Sequence, residues 1–286
     1  MADDVRAGLM AVTASMPPIV AAADIAGRDD IVLCDVRWYL DGRSGLDAYL
    51  AGHIAGAIWV DLDAHLSAHG APEHGRHPLP SAQSFADSLG SLGIGPADTV
   101  VAYDDQNGLP ASRLVWMLRV LGHDAALLNG GLQAWPGPTS TEPSHRAPMM
   151  CPVRDWPDGA FVDIDAAATA GASPNAVLID ARGADRYRGE TEPIDARPGH
   201  IPGAANVPFA DNFDADGFFA DTATLRARYE SEGVAAADDT IIYCGSGVSA
   251  CTDALAMEHS GLGRPRVYVG SWSQWSHTDR PAATAS

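Results

Sequence analysis

Short runs of apolar residues alternate along this chain with stretches in which apolar positions recur at helical spacing. Ile31–Asp35, Asp98–Asp104, Ala176–Asp180 and Asp239–Cys244 are brief, rich in β-branched residues and bounded by turn formers, and they read as buried strands. Periodicity predicts helices over Ser81–Leu92, Ala111–Leu121, Thr222–Gly233 and Ser249–His259. Strands that alternate with helices imply βα units around a mostly parallel sheet covered on both faces, an α/β fold. Ligands in such sheets bind beyond the carboxyl ends of the strands.

The pattern occurs twice. Ile31–Asp35 followed by Arg37 returns as Ala176–Asp180 followed by Arg182, and Gly52-His-Ile-Ala-Gly-Ala57 returns as Gly199-His-Ile-Pro-Gly-Ala204. Asp98–Asp104 returns as Asp239–Cys244, and Leu127–Trp135 returns as Val267–Trp275. Self-similarity at one nearly constant offset marks a tandem duplication. It divides the chain into an extension at 1–16, a first domain at 17–135, a proline-rich linker at 136–158, a second domain at 159–276 and a tail at 277–286. Proline density in the linker excludes regular structure and suggests a semi-extended connector packed along the domains.

Chemistry concentrates where the second copy departs from the first. Cys244 stands at the end of its strand, where the first copy has Asp104, and is followed by Gly-Ser-Gly and a predicted helix. Glycines at 245 and 247 allow successive N–H groups to turn toward one point, and a helix start adds a positive dipole end. Both favour an anionic sulfur, so Cys244 is a candidate nucleophile; a buried structural cysteine is the alternative, which the glycine loop disfavours. A carboxylate cannot replace a thiol as that nucleophile, so the first copy is expected to be non-catalytic and to supply one wall of the site.

Cys244-Gly-Ser-Gly-Val-Ser-Ala250 resembles the active-site loop of the two-domain rhodanese superfamily and, within it, the form found in 3-mercaptopyruvate sulfurtransferases. The resemblance covers roughly residues 17–276 and implies tandem rhodanese-like α/β domains. It implies a relay of Asp63, His77 and Ser246, and a loop in which Gly245, Gly247, Val248 and Ser249 face the substrate. Arg186 matches the family's substrate-binding arginine. The family's second carboxylate-binding arginine falls on Asp195 here, and Arg197 is expected to take its place. Thiosulfate-preferring members carry basic residues just after the cysteine; Gly245 and Ser246 suit a monoanionic donor better.

The implied activity is transfer of a sulfane sulfur from 3-mercaptopyruvate through a Cys244 persulfide to a thiol such as thioredoxin, to a small thiol or to cyanide, with release of pyruvate and no metal or organic cofactor. A thiosulfate sulfurtransferase and a catalytically silent sulfur carrier are the alternatives. Phosphatases of similar fold need an arginine six residues after the cysteine, and here that residue is Ala250.

Composition narrows the partners. A formal net charge of −19 argues against nucleic acid and anionic membrane, and requires any anion site to be locally positive. Cysteines at 34, 151, 244 and 251 show neither zinc-ligand spacing nor a disulfide framework, which suggests a reducing compartment. Histidines at 65, 69, 74 and 77 fit no regular zinc pattern. Cys151 reads as inert, Cys251 as core-facing, Arg182 as a partner for nearby carboxylates and His200 as a turn residue that satisfies backbone groups. No segment approaches the roughly 20 apolar residues of a membrane span, and the N-terminus has no basic start before a long apolar run, so a cytoplasmic protein is expected.

Overall fold

The structure, a computed structural model, describes residues 16–284. The expected extension at 1–16 lies outside the described residues except for Met16, which is buried and donates its backbone N–H to Asp124.

Twelve strands are present among the described residues: β1 (Ile19–Val20), β2 (Ile31–Asp35), β3 (His53–Ile54), β4 (Ile58–Trp59), β5 (Thr99–Tyr103), β6 (Ala125–Leu128), β7 (Thr139–Ser140), β8 (Phe161–Val162), β9 (Val177–Asp180), β10 (Ala205–Asn206), β11 (Thr240–Tyr243) and β12 (Arg266–Tyr268). In the first half they form a sheet of order β1-β6-β5-β2-β4, and in the second a sheet of order β8-β12-β11-β9-β10, all pairs parallel. Reading one order onto the other reproduces the duplication strand for strand. β5 and β11, the strands that end one residue before Asp104 and Cys244, occupy the centre of their sheets. Each is buried along most or all of its length, as a run of apolar residues covered on both faces must be.

The predicted helices form at Ala82–Ser91, Ala111–Val120, Thr222–Ser231 and Ser249–His259. Ser81 accepts the N–H of Ser84 and Asp221 accepts those of Ala223 and Thr224, so each caps its helix from just outside. The linker is not wholly irregular: Thr139–Ser140 pairs antiparallel with His53–Ile54. Such a pair depends on a contact far along the chain, and the two residues carry no strand pattern of their own.

The repeat extends to side chains. His53 meets the Tyr49 carbonyl at 2.8 Å and stacks on its ring; His200 meets the Tyr187 carbonyl at 2.7 Å and does the same. Arg37, paired with the buried Asp35, donates to the Gly52 carbonyl, as Arg182, paired with Asp180, donates to that of Gly199. Arg182 and His200 thus have the structural partners their sequence context suggests.

One hydrophobic core runs through both halves. Helices Ala111–Val120 and Ser249–His259 are buried along most of their length and pack on each other. The guanidinium of Arg119 crosses to Glu258 at 2.8 Å, and Arg264 donates to the same carboxylate. Burial would push the Glu258 carboxyl up, but the two guanidiniums hold it below its ordinary value.

Candidate active site

Cys244 begins the loop beyond β11 and is anchored at both backbone ends. Its N–H donates to the Ser271 hydroxyl at 3.1 Å, and its carbonyl accepts from Trp272 at 2.9 Å. The loop then turns sharply at Gly247, whose φ of +76° favours glycine and whose missing Cβ would lie 2.5 Å from the Val269 carbonyl oxygen. The turn aims the Gly247 N–H at the Cys244 sulfur, 3.1 Å away. Helix Ser249–His259 starts directly after, so its positive end faces the same region.

The next peptide is held by Arg113, a residue the sequence reading passed over. Arg113 is almost fully buried on helix Ala111–Val120 and pairs with no carboxylate among the described residues. Its guanidinium donates to the carbonyls of Leu66, Gly247, His77 and Pro78, at 3.1, 3.1, 2.9 and 3.3 Å. Burial lowers its pKa, and Cys251 and Cys244 are the groups whose anionic forms would oppose that. A buried cation without a counter-ion is costly, and here four carbonyl oxygens receive its protons in place of a carboxylate. Comparing the copies gives one clue: Arg113 lies nine residues after Asp104, and nine residues after Cys244 the second copy has Asp253.

Asp63, His77 and Ser246 come together. The His77 Nδ1 lies 2.8 Å from the Ser246 Oγ, and its Nε2 lies 3.5 Å from Asp63. Trp38 donates its indole N–H to the other Asp63 oxygen at 2.9 Å and packs edge-on against the imidazole. A carboxylate only accepts, so the neutral ring carries its proton on Nε2 and Nδ1 accepts from the serine hydroxyl. Burial lowers the His77 pKa although Asp63 pulls the other way; Asp63 is itself lowered by its contact with His77.

Gly245, Val248, Ser249 and Arg186 line a cavity of about 330 Å³ with Cys244 and Ser246. Trp38, Leu40, Arg76 and Gln106 of the first half form its other wall. Arg186 is fixed by Glu192 at 2.7 Å and Asp195 at 2.9 Å. Arg197 does not reach the cavity, which corrects the expectation that it would bind substrate. Its guanidinium is turned toward the C-terminal segment, where it donates to the carbonyls of Trp275 and Arg280.

The equivalent loop of the first half is closed on itself. The buried Asp104 carboxylate accepts the N–H groups of Gln106, Gly108 and Ala111 at 2.7, 2.8 and 3.0 Å. Burial pushes its pKa up to about 6 despite those donors. Cys251 points its sulfur at the Gly247 carbonyl, and burial pushes its pKa up to about 12, which suits a core thiol.

The family model for the rhodanese-like domain matches the chain twice, over residues 20–137 and 164–278. The chain belongs to the rhodanese family. A rhodanese of Pseudomonas aeruginosa with the name "probable 3-mercaptopyruvate sulfurtransferase" is 38% identical over 94% of this chain and 99% of its own. The thiosulfate sulfurtransferase of Cricetulus griseus is 35% identical over 88% and 87%. Among solved rhodanese structures, the 3-mercaptopyruvate sulfurtransferase of Leishmania major superposes with a TM-score of 0.80 at 31% identity, covering 93% of this chain and 75% of that one. No helix among the described residues is long and apolar enough to cross a membrane.

Proposed function

We propose that this rhodanese moves a sulfane sulfur from 3-mercaptopyruvate through a persulfide on Cys244 to a thiol or cyanide. The observation that carries the reading is that the Cys244 sulfur, 3.1 Å from the Gly247 N–H, shares one cavity with Arg186 and with Ser246, which is backed by His77.

Arg186 holds the donor's carboxylate with its planar fork. The Cys244 thiolate attacks the donor sulfur, an S–S bond forms and the C–S bond breaks. The electron pair passes to the three-carbon fragment, which leaves as the enolate of pyruvate and takes up a proton. Ser246, hydrogen-bonded to His77 and through it to Asp63, stands where a hydroxyl proton can be offered to the developing oxyanion. The outer sulfur then goes to a thiol, such as thioredoxin or a small thiol, or to cyanide. No step calls on a metal or organic cofactor.

Thiosulfate is the second reading, because Arg76, Arg182 and Arg186 all line the cavity and three guanidiniums suit a dianion. Intact-mass measurement with each donor, followed by steady-state turnover, tests both. Wild type should gain the mass of one sulfur atom with 3-mercaptopyruvate and release pyruvate, while Cys244→Ser does neither. Tenfold better efficiency with thiosulfate, about 1.4 kcal/mol of transition-state preference, would replace the first reading by the second. No added sulfur from either donor would leave a silent carrier.

A further inference from the structure

We infer that Arg113, carried by the half without the strand-end cysteine, is a positioning residue for sulfur transfer: its guanidinium sets the Cys244 loop, the His77 segment and the helix that bears Asp63 in register with one another. The inference deepens the reading above and rests on a sulfur carried at Cys244.

Three observations carry it. First, the carbonyls to which Arg113 donates belong to the segments that bear the relay. Leu66, met by Nε at 3.1 Å, closes the short helix Leu62–His65 on which Asp63 lies. Nη2 donates to the carbonyl of His77 itself at 2.9 Å and to that of Pro78 at 3.3 Å. Nη1 donates at 3.1 Å to the carbonyl of Gly247, the residue after Ser246. Asp63, His77 and Ser246 lie on three separate stretches of chain that no local structure relates. One planar, rigid fork joins all three, and with them the approach that brings His77 Nδ1 to 2.8 Å from Ser246 Oγ.

Second, the bond to Gly247 decides which way a backbone donor faces. The Gly247–Val248 peptide is trans, so its C=O and N–H point to opposite sides. With the carbonyl held toward the buried helix Ala111–Val120, the Val248 N–H is left toward the cavity that Val248 lines. That N–H has no acceptor among the described residues. The first half shows what such a donor meets. Its loop repeats the positive φ, 56° at Asn107 against 76° at Gly247, and the next N–H, that of Gly108, donates to Asp104 at 2.8 Å. A carboxylate oxygen of Asp104 stands two bonds beyond its Cβ, as the outer sulfur of a Cys244 persulfide would.

Third, the arrangement is one-sided. The residue that corresponds to Arg113 in the second half is Asp253, whose carboxylate accepts from Asn212 of its own half at 2.6 Å. Arg113 is almost fully buried and stands outside the cavity, so it acts on the reaction only through the segments it holds. The Gly247 carbonyl has one further donor, the Cys251 thiol at 3.4 Å. A thiol donates weakly, which leaves the guanidinium as the principal hold.

The test separates positioning from the mere joining of two halves. Arg113→Lys keeps the cation without the fork, and Arg113→Gln removes the cation as well; rates are compared in whichever keeps a cooperative urea transition. In Arg113→Lys, kcat with 3-mercaptopyruvate should fall about tenfold to a hundredfold, the scale of a small misplacement of reacting groups. KM should stay within about twofold, because Arg186 keeps its own carboxylates. Arg113→Gln should lose at least as much. In a His77→Gln background the further loss from Arg113→Lys should shrink to about threefold, since a relay already broken cannot be misaligned again. Inorganic polysulfide loads Cys244 by forming one S–S bond as another breaks, with no carbon fragment to protonate, and this loading should slow by a smaller factor. Unchanged kcat in Arg113→Lys overturns the inference, as do losses that simply multiply in the His77→Gln background, or loss of the cooperative transition in both variants. If polysulfide loading slows in Arg113→Lys but wild type does not process mercaptopyruvate, the positioning role stands and the proposed donor falls.

Discussion

At the scale of single residues, the site sets a backbone N–H on the Cys244 sulfur and, beside it, a neutral histidine on the Ser246 hydroxyl. Because burial holds His77 below the ordinary histidine value, it is neutral at pH 7 and can accept from Ser246. The folded chain protonates His77 less readily than the unfolded one. Its share of stability is therefore present above the ordinary histidine value, near 6.5, and is lost as pH falls from there through the folded value. The acid limb of kcat/KM should accordingly lie below about pH 6.5, and His77→Gln should remove it while lowering kcat by about 10²–10⁴-fold. A limb that survives the substitution at the same pH would assign it to another group. Cys244, Ser246 and the glycines were legible because they stand together in one stretch of chain. Arg113 was not, because its role depends on which side of a buried helix meets the other half, and the nearly all-apolar surroundings of that helix do not mark a side.

At the scale of elements, the strand–loop–helix unit from Thr240 to His259 was readable almost to the residue, since a short apolar strand, two glycines and a helical period each announce themselves. The antiparallel pair of His53–Ile54 with Thr139–Ser140 was not, because partners so far apart leave no local periodicity. The loop depends on Gly247 more than on its other glycine. Gly247→Ala forces a side chain into the left-handed region and against the Val269 backbone, and should cost about 1–3 kcal/mol. Urea unfolding should show the lowered midpoint, and persulfide formation should drop with it, since the N–H that points at sulfur moves. Wild-type stability and turnover in this variant would mean that the turn relaxes without consequence.

At the scale of the whole molecule, neither half holds a complete site. The second contributes Cys244, Ser246 and Arg186, and the first contributes His77, Asp63 and Arg113, with a common core between them. The duplication and the missing first cysteine were plain in the sequence; the way the halves face each other was not, because repeat offsets say nothing about docking. Glu258→Ala should test the seam. It leaves the buried Arg119 guanidinium without its carboxylate and should cost about 3 kcal/mol, read as a lowered midpoint in a single urea transition for the chain. Two separate transitions would show that the halves unfold independently. The sealed Asp104 loop bears on how such a lineage can diverge. A duplicated domain begins with two equivalent cradles, and here the N–H groups of one are taken up by its own Asp104 carboxylate. Relatives that share this arrangement should vary more at the filled loop than on the face of that copy turned toward Cys244. Shifts in donor preference among such relatives should therefore accumulate around Arg76 and Trp38, in the copy with aspartate in place of the strand-end cysteine.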